Sequence, residues 1–177
     1  MNRALAIVIA TLLLISAAFA QMEAPKPGPE HKKLDYFVGK WSSDGDMKPS
    51  AFGPGGKVIA TEDSKWMDGG FFVVINSTYD SGAMGKGTAI AIMGYDPDQK
   101  VYTYDEYNTQ GEAVHSKGTV DGDTWTWLND MKMGPQTVKG RFTMKIISPT
   151  AYSYTYEMSP DGTKWNTVLE GKDTKKQ

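Results

Sequence analysis

The chain has 177 residues, enough for one domain and too few for two of ordinary size. Hydrophobic residues make up 40% and charged residues 23%, the balance of a globular chain and not of a disordered one. A formal net charge of −2 with no basic patch argues against a nucleic-acid partner, and the absence of Cys removes thiol nucleophiles, Cys-ligated zinc and iron–sulfur clusters.

Residues 1–20 read as a signal peptide. Arg3 supplies a positive start, residues 5–15 are apolar apart from Thr11, and Ala18-Phe19-Ala20 matches the small-x-small cleavage pattern, with Gln21 as the new first residue. The apolar run is shorter than the ~20 residues that cross a bilayer. No Cys follows the cleavage site to accept a lipid. The expectation is an exported protein, periplasmic or extracellular, with no membrane span after cleavage. It has no disulfide to lean on, so its hydrophobic core must hold it together.

Residues 21–30 carry Pro25, Pro27 and Pro29 and no apolar period, which predicts a linker. Residues 31–38 place Leu34, Phe37 and Val38 at helical spacing, and Gly39 stops them, so one short helix is expected. From residue 40 onward the period becomes two. Strands are predicted over 40–47, 58–67, 71–79, 88–95, 101–108, 113–120, 124–129 and 138–147, followed by one carrying Tyr152, Tyr154, Tyr156 and Met158 on one face. In the last, Trp165, Thr167 and Leu169 share a face. Asp68-Gly69-Gly70, Asp96-Pro97-Asp98, Gln110-Gly111, Asp121-Gly122 and Pro160-Asp161-Gly162 are hairpin turns between them. No helix of crossover length intervenes, so each strand pairs with its sequence neighbour. Such a meander leaves two exposed edges unless it closes. The predicted fold is therefore all-β: a single antiparallel up-and-down β-barrel of about ten strands over 31–172, with a short N-terminal helix and a charged tail at 173–177. A two-sheet sandwich is the competitor. The glycine-rich connector 49–57 sits at one mouth of such a barrel.

Gly39-Lys40-Trp41 opens the first strand directly after the helix. A G-x-W at that place resembles the opening of lipocalin-like barrels, where the Trp closes the barrel floor and packs against a late basic residue. The wider pattern comprises His31-Lys32-Lys33-Leu34, Phe37-Val38-Gly39-Lys40-Trp41, Trp66-Met67-Asp68-Gly69-Gly70-Phe71-Phe72, Met93-Gly94-Tyr95-Asp96 and Met158-Ser159-Pro160-Asp161-Gly162. This is similar to the DUF1579 family, exported bacterial proteins of unknown function. The resemblance covers residues 31–172. It implies a lipocalin-like or fatty-acid-binding-protein-like barrel and brings no catalytic residues. Haem-binding nitrobindins also open with G-x-W, but their haem ligand is a His near the C-terminus, and no His lies beyond His115 here.

A search for catalytic chemistry finds little. His31 and His115 are the only two histidines, and neither H-E-x-x-H nor G-x-S-x-G is present. Residues 82–88 superficially match a phosphate loop, yet Gly87 stands where Ser or Thr must be. The paired acids mostly fall in turns, and none has the ordered spacing of a calcium loop. Asp105 and Glu106 differ, because they lie inside a strand between Tyr104 and Tyr107. Adjacent strand residues face opposite ways, so one of the two is expected to point inward. No catalytic residue, metal ligand or cofactor is assigned.

What remains is a stock of aromatic side chains on faces assigned inward. These either fill the barrel or line a cavity in it. Trp41, Trp66, Phe71, Trp125, Trp127, Phe142, Tyr154 and Tyr156 are the expected lining, with Glu62, Asp105 and His115 as polar contacts. The expected function is non-enzymatic binding of a small hydrophobic or amphipathic ligand. The alternatives are an envelope interaction module with a filled core and a barrel enzyme using an interior carboxylate.

Overall fold

The computed structural model describes residues 24–50 and 53–176; the signal-peptide assignment lies outside them. A short helix, α1 (Pro29–Lys32), runs on into 3₁₀ turns over Lys33–Phe37. Ten strands follow: β1 (Gly39–Met47), β2 (Gly56–Trp66), β3 (Phe72–Asp80), β4 (Lys86–Asp96), β5 (Val101–Asn108), β6 (Ala113–Asp121), β7 (Thr124–Met133), β8 (Gln136–Ser148), β9 (Ala151–Ser159) and β10 (Asn166–Lys175). Each pairs antiparallel with its chain neighbour, and β1 pairs with β10 to close the barrel. Closure leaves no sheet edge to cover, which is why a meander of short alternating strands is stable here.

Boundaries differ from expectation in several places, and β7 runs four residues past the predicted 129, to Met133. The linker gives way to α1 at Pro29, because a Pro suits the first position of a helix, where no N–H is needed. Residues 173–175 are not a tail: β10 continues through Lys175, and Asp173 is only 4% exposed. The last strand also breaks its alternation. A register shift between Thr167 and Leu169 turns Leu169 inward opposite Tyr156, while Thr167 stays with the outward Glu157. Trp165 precedes the strand, and the guanidinium of Arg141 lies 4.2 Å above its ring, on the outside.

The two ends of the barrel are unlike. At one end α1 and the 3₁₀ turns form a plug. The Tyr36 hydroxyl donates to the carbonyls of Ser148 and Ala151, and the Tyr102 hydroxyl donates to the Glu30 carboxylate. Leu34 and Phe37 of this plug pack onto Trp41, Val73, Tyr102 and Trp125 as a filled core. Trp41 closes the floor: its Nε1–H donates to the Phe37 carbonyl at 2.9 Å, and Lys175 Nζ stands 5.2 Å from the ring centroid. This is the late basic partner that the lipocalin resemblance implies. The opposite end carries the β1–β2, β3–β4, β5–β6, β7–β8 and β9–β10 connections, and nothing described there plugs it.

Candidate functional site

The open half of the barrel encloses a cavity of about 440 Å³. Its size falls in the usual range for small-molecule sites, ~300–1,000 Å³. Alternation along each strand selects the lining: Val58 and Ala60 on β2, Tyr104 and Glu106 on β5, Trp127, Asn129 and Met131 on β7, Phe142 and Met144 on β8, and Tyr152, Tyr154 and Tyr156 on β9. Small residues face large ones across the strands. Gly118 lies directly opposite Trp127, and a Cβ on it would stand 2.4 Å from the indole Cε3. The missing side chain is what lets the ring lie flat against β6.

The polar groups of the cavity are unevenly signed. Glu62, Glu106, Glu112 and Asp173 line it, and no Lys, Arg or His does. Each interior acid has its own arrangement. Glu106 accepts from the Tyr104 hydroxyl at 2.6 Å. Asp173 Oδ2 accepts from the Tyr152 hydroxyl, and Ser43, its register partner on β1, stands beside the same buried carboxylate. Burial raises Asp173 above the ordinary carboxylate range. Glu62 sits opposite Trp41 on the neighbouring strand. Burial, then the nearby charges of Asp173 and Glu106, push it up to about 7. Tyr104 and Tyr152 are raised well above their ordinary values, chiefly by burial, so both hydroxyls keep their protons and act as donors. Ser43 and the Tyr154 hydroxyl complete the polar side at 2.9 Å from each other.

Of the expected lining, Trp41, Glu62, Trp127, Phe142, Tyr154 and Tyr156 are brought together around the cavity. Trp125 belongs instead to the filled floor, its ring 4.6 Å from Tyr102 and 5.1 Å from Phe37. Trp66 and Phe71 are corrected as well. The Trp66 Nε1–H donates to Asp35 at 2.7 Å, and Phe71 packs edge-on against His31 at 5.2 Å, so both fasten the plug from outside the cavity. Asp105 and His115 face outward and bond to each other at 2.7 Å, with side-chain exposures of 44% and 62%. The inward member of the adjacent pair is Glu106, as its register partner Val114 is inward while His115 is outward.

Glu106, Asp173, Tyr104 and Tyr152 were missed as site residues. Tyr102, Tyr104 and Glu106 are two apart in β5 and so share a face, which was a usable signal. Asp173 was hidden by its place in a charged terminal run. Among the described residues, no group of three or more His, Cys, Asp or Glu side chains is arranged to hold a metal ion, and no helix is long and apolar enough to cross a membrane.

A family model described as protein of unknown function (DUF1579) matches residues 26–175. No curated protein matches the chain. Among solved structures, Rv2717c from M. tuberculosis is similar with a TM-score of 0.57 at 13% identity, covering 85% of this chain and 99% of that one. The S-type phycobiliprotein lyase CPES from Guillardia theta has a TM-score of 0.53 at 10% identity, covering 84% of this chain and 93% of its own. At these identities the likeness extends to the fold, a lipocalin-like barrel.

Proposed function

The chain belongs to the DUF1579 family of proteins of unknown function, and we propose that it is an exported carrier that holds one small amphipathic molecule in the open half of its barrel. The observation that carries this proposal is the cavity of about 440 Å³, walled by aromatic and aliphatic side chains with its polar groups gathered around Glu62, Glu106 and Asp173. An apolar body with one polar end matches that division. A filled interaction module would need no such space. Resemblance to a phycobiliprotein lyase barrel is consistent with an interior used for a small molecule. Export rests on the signal-like pattern of residues 1–20.

A catalytic role has one observation in its favour, since Glu62 near 7 has the poise of a general acid or base. Binding without turnover fits the lining better. Ser43 stands beside Asp173, but no His, Lys or Arg lines the cavity among the described residues, and the groups nearest Glu62 in charge are two further carboxylates.

Native mass spectrometry of the protein purified from its own host, with extraction of whatever co-purifies, tests the proposal. A retained small molecule that is lost in a variant with Ala60 enlarged to Trp supports it. A chain that carries nothing, and whose Trp fluorescence no lipid-like probe changes, contradicts it.

A further inference from the structure

The charge inventory of the cavity specifies its guest further. The lining offers four carboxylates and no cationic side chain. Lys175, the cation nearest the floor, lies over the ring of Trp41 and donates to the Tyr36 carbonyl, so it is held at the plug. Asp173 is 4% exposed, and no cation stands beside its buried carboxylate in the cavity. Tyr152 and Ser43, the residue paired with Asp173 on β1, supply its donors, so what the acid lacks is a neighbouring positive charge and not a hydrogen bond. Glu62 lies in the same acidic group, close to Asp173 and Glu106. Around these acids stand Trp41, Trp127, Tyr154 and Phe142, whose faces attract a positive charge.

Resting on the carrier function proposed above, we infer that the cavity selects a cationic amphiphile, with its ammonium or amidinium head against Asp173 and Glu62 and its apolar body toward Trp127 and Met131. A fatty acid is disfavoured, because its carboxylate would add a negative charge to a group that already holds three acids and no counter-ion.

The groups near Glu62 are Asp173 from β10, Glu106 and Tyr104 from β5, Tyr152 and Tyr154 from β9, and Trp41, opposite it on β1. Glu62 and Asp173, both raised by burial, lose charge as pH falls while the tyrosines stay neutral, so affinity for a permanently charged cation rises from pH 6 to pH 8.

Three probes that share a decyl chain and differ in the head test this: decyltrimethylammonium, decanol and decanoate, each titrated below its aggregation limit against the full chain with Trp fluorescence as readout. The expected order is ammonium first, by roughly tenfold over decanoate. Glu62→Gln and Asp173→Asn should each narrow that gap, chiefly by weakening the ammonium probe. Both are near-isosteric, and a thermal melt checks that each variant is folded. Decanoate or decanol binding as tightly as the ammonium probe would overturn the selectivity but leave the carrier function standing. Failure of all three probes to bind would remove both.

Discussion

Asp105 and Glu106 are adjacent in the chain and lie on opposite sides of the barrel wall. Asp105 meets His115 on the outside, and Glu106 meets Tyr104 on the inside. The first pair is solvated and the second is enclosed, and their energetic weights differ accordingly. His115→Ala and Asp105→Asn are each expected to shift stability by no more than about 0.5 kcal/mol and to leave ligand binding unchanged. Glu106→Gln should alter binding of a charged probe. Urea unfolding together with a fluorescence titration measures both effects.

The floor is a separate matter. Trp41 touches Tyr36 and Tyr152, donates to the Phe37 carbonyl and lies under Lys175. Trp41→Ala removes a ring that is 1% exposed, and the loss should be about 3–5 kcal/mol by urea unfolding. Trp41→Phe keeps most of the packing, loses the Nε1–H bond and should cost about 1–2 kcal/mol.

Much of the fold was legible because a period of two over short segments, hairpin turns between them and the lack of crossover helices leave few topologies open. The closure of β1 on β10 followed from the cost of bare edges. Where the pattern misled, the causes are local. The register shift at Thr167 and Leu169 reverses the facing of Trp165 and Thr167, and no residue type announces it. Trp66 and Phe71 were expected inward, Phe71 by its alternation with Val73 and Ile75, but they sit where β2 and β3 meet the plug, whose docking is a long-range contact. Asp173 reads as solvated in a run of lysines until the barrel closes around it.

Gly118 and Trp127 make a size-complementary pair. Gly118→Ala would press a methyl group into the indole, and because the clash involves the face of a packed ring the strand itself must shift. The expected cost is about 1–3 kcal/mol, with a changed Trp emission spectrum. Equal stability of the variant would show that the ring does not lie flat on β6.

Stability should fall as pH rises through the range set by Glu62. Its folded value, about 7, is above its ordinary value of 4.5. Below 4.5 both folded and unfolded chains hold the proton and there is no penalty. Between 4.5 and 7 the unfolded chain gives up its proton while the folded chain keeps it, so unfolding becomes easier. The full loss, on the order of 3 kcal/mol, is present above about pH 7. Asp173, raised in the same direction, adds to the loss. In Glu62→Gln most of the slope between pH 5 and pH 7 should vanish from a series of urea midpoints.

Methionine methyl groups report most directly on whether a guest enters the barrel. Met93, Met131 and Met144 line the cavity, whereas Met67 and Met84 are exposed elsewhere. With methyl-labelled methionine, titration of the decyltrimethylammonium probe should move the NMR signals of the first three and leave the other two in place. Shifts at Met67 and Met84 alone, or no shift at any of the five, would contradict a ligand-holding barrel.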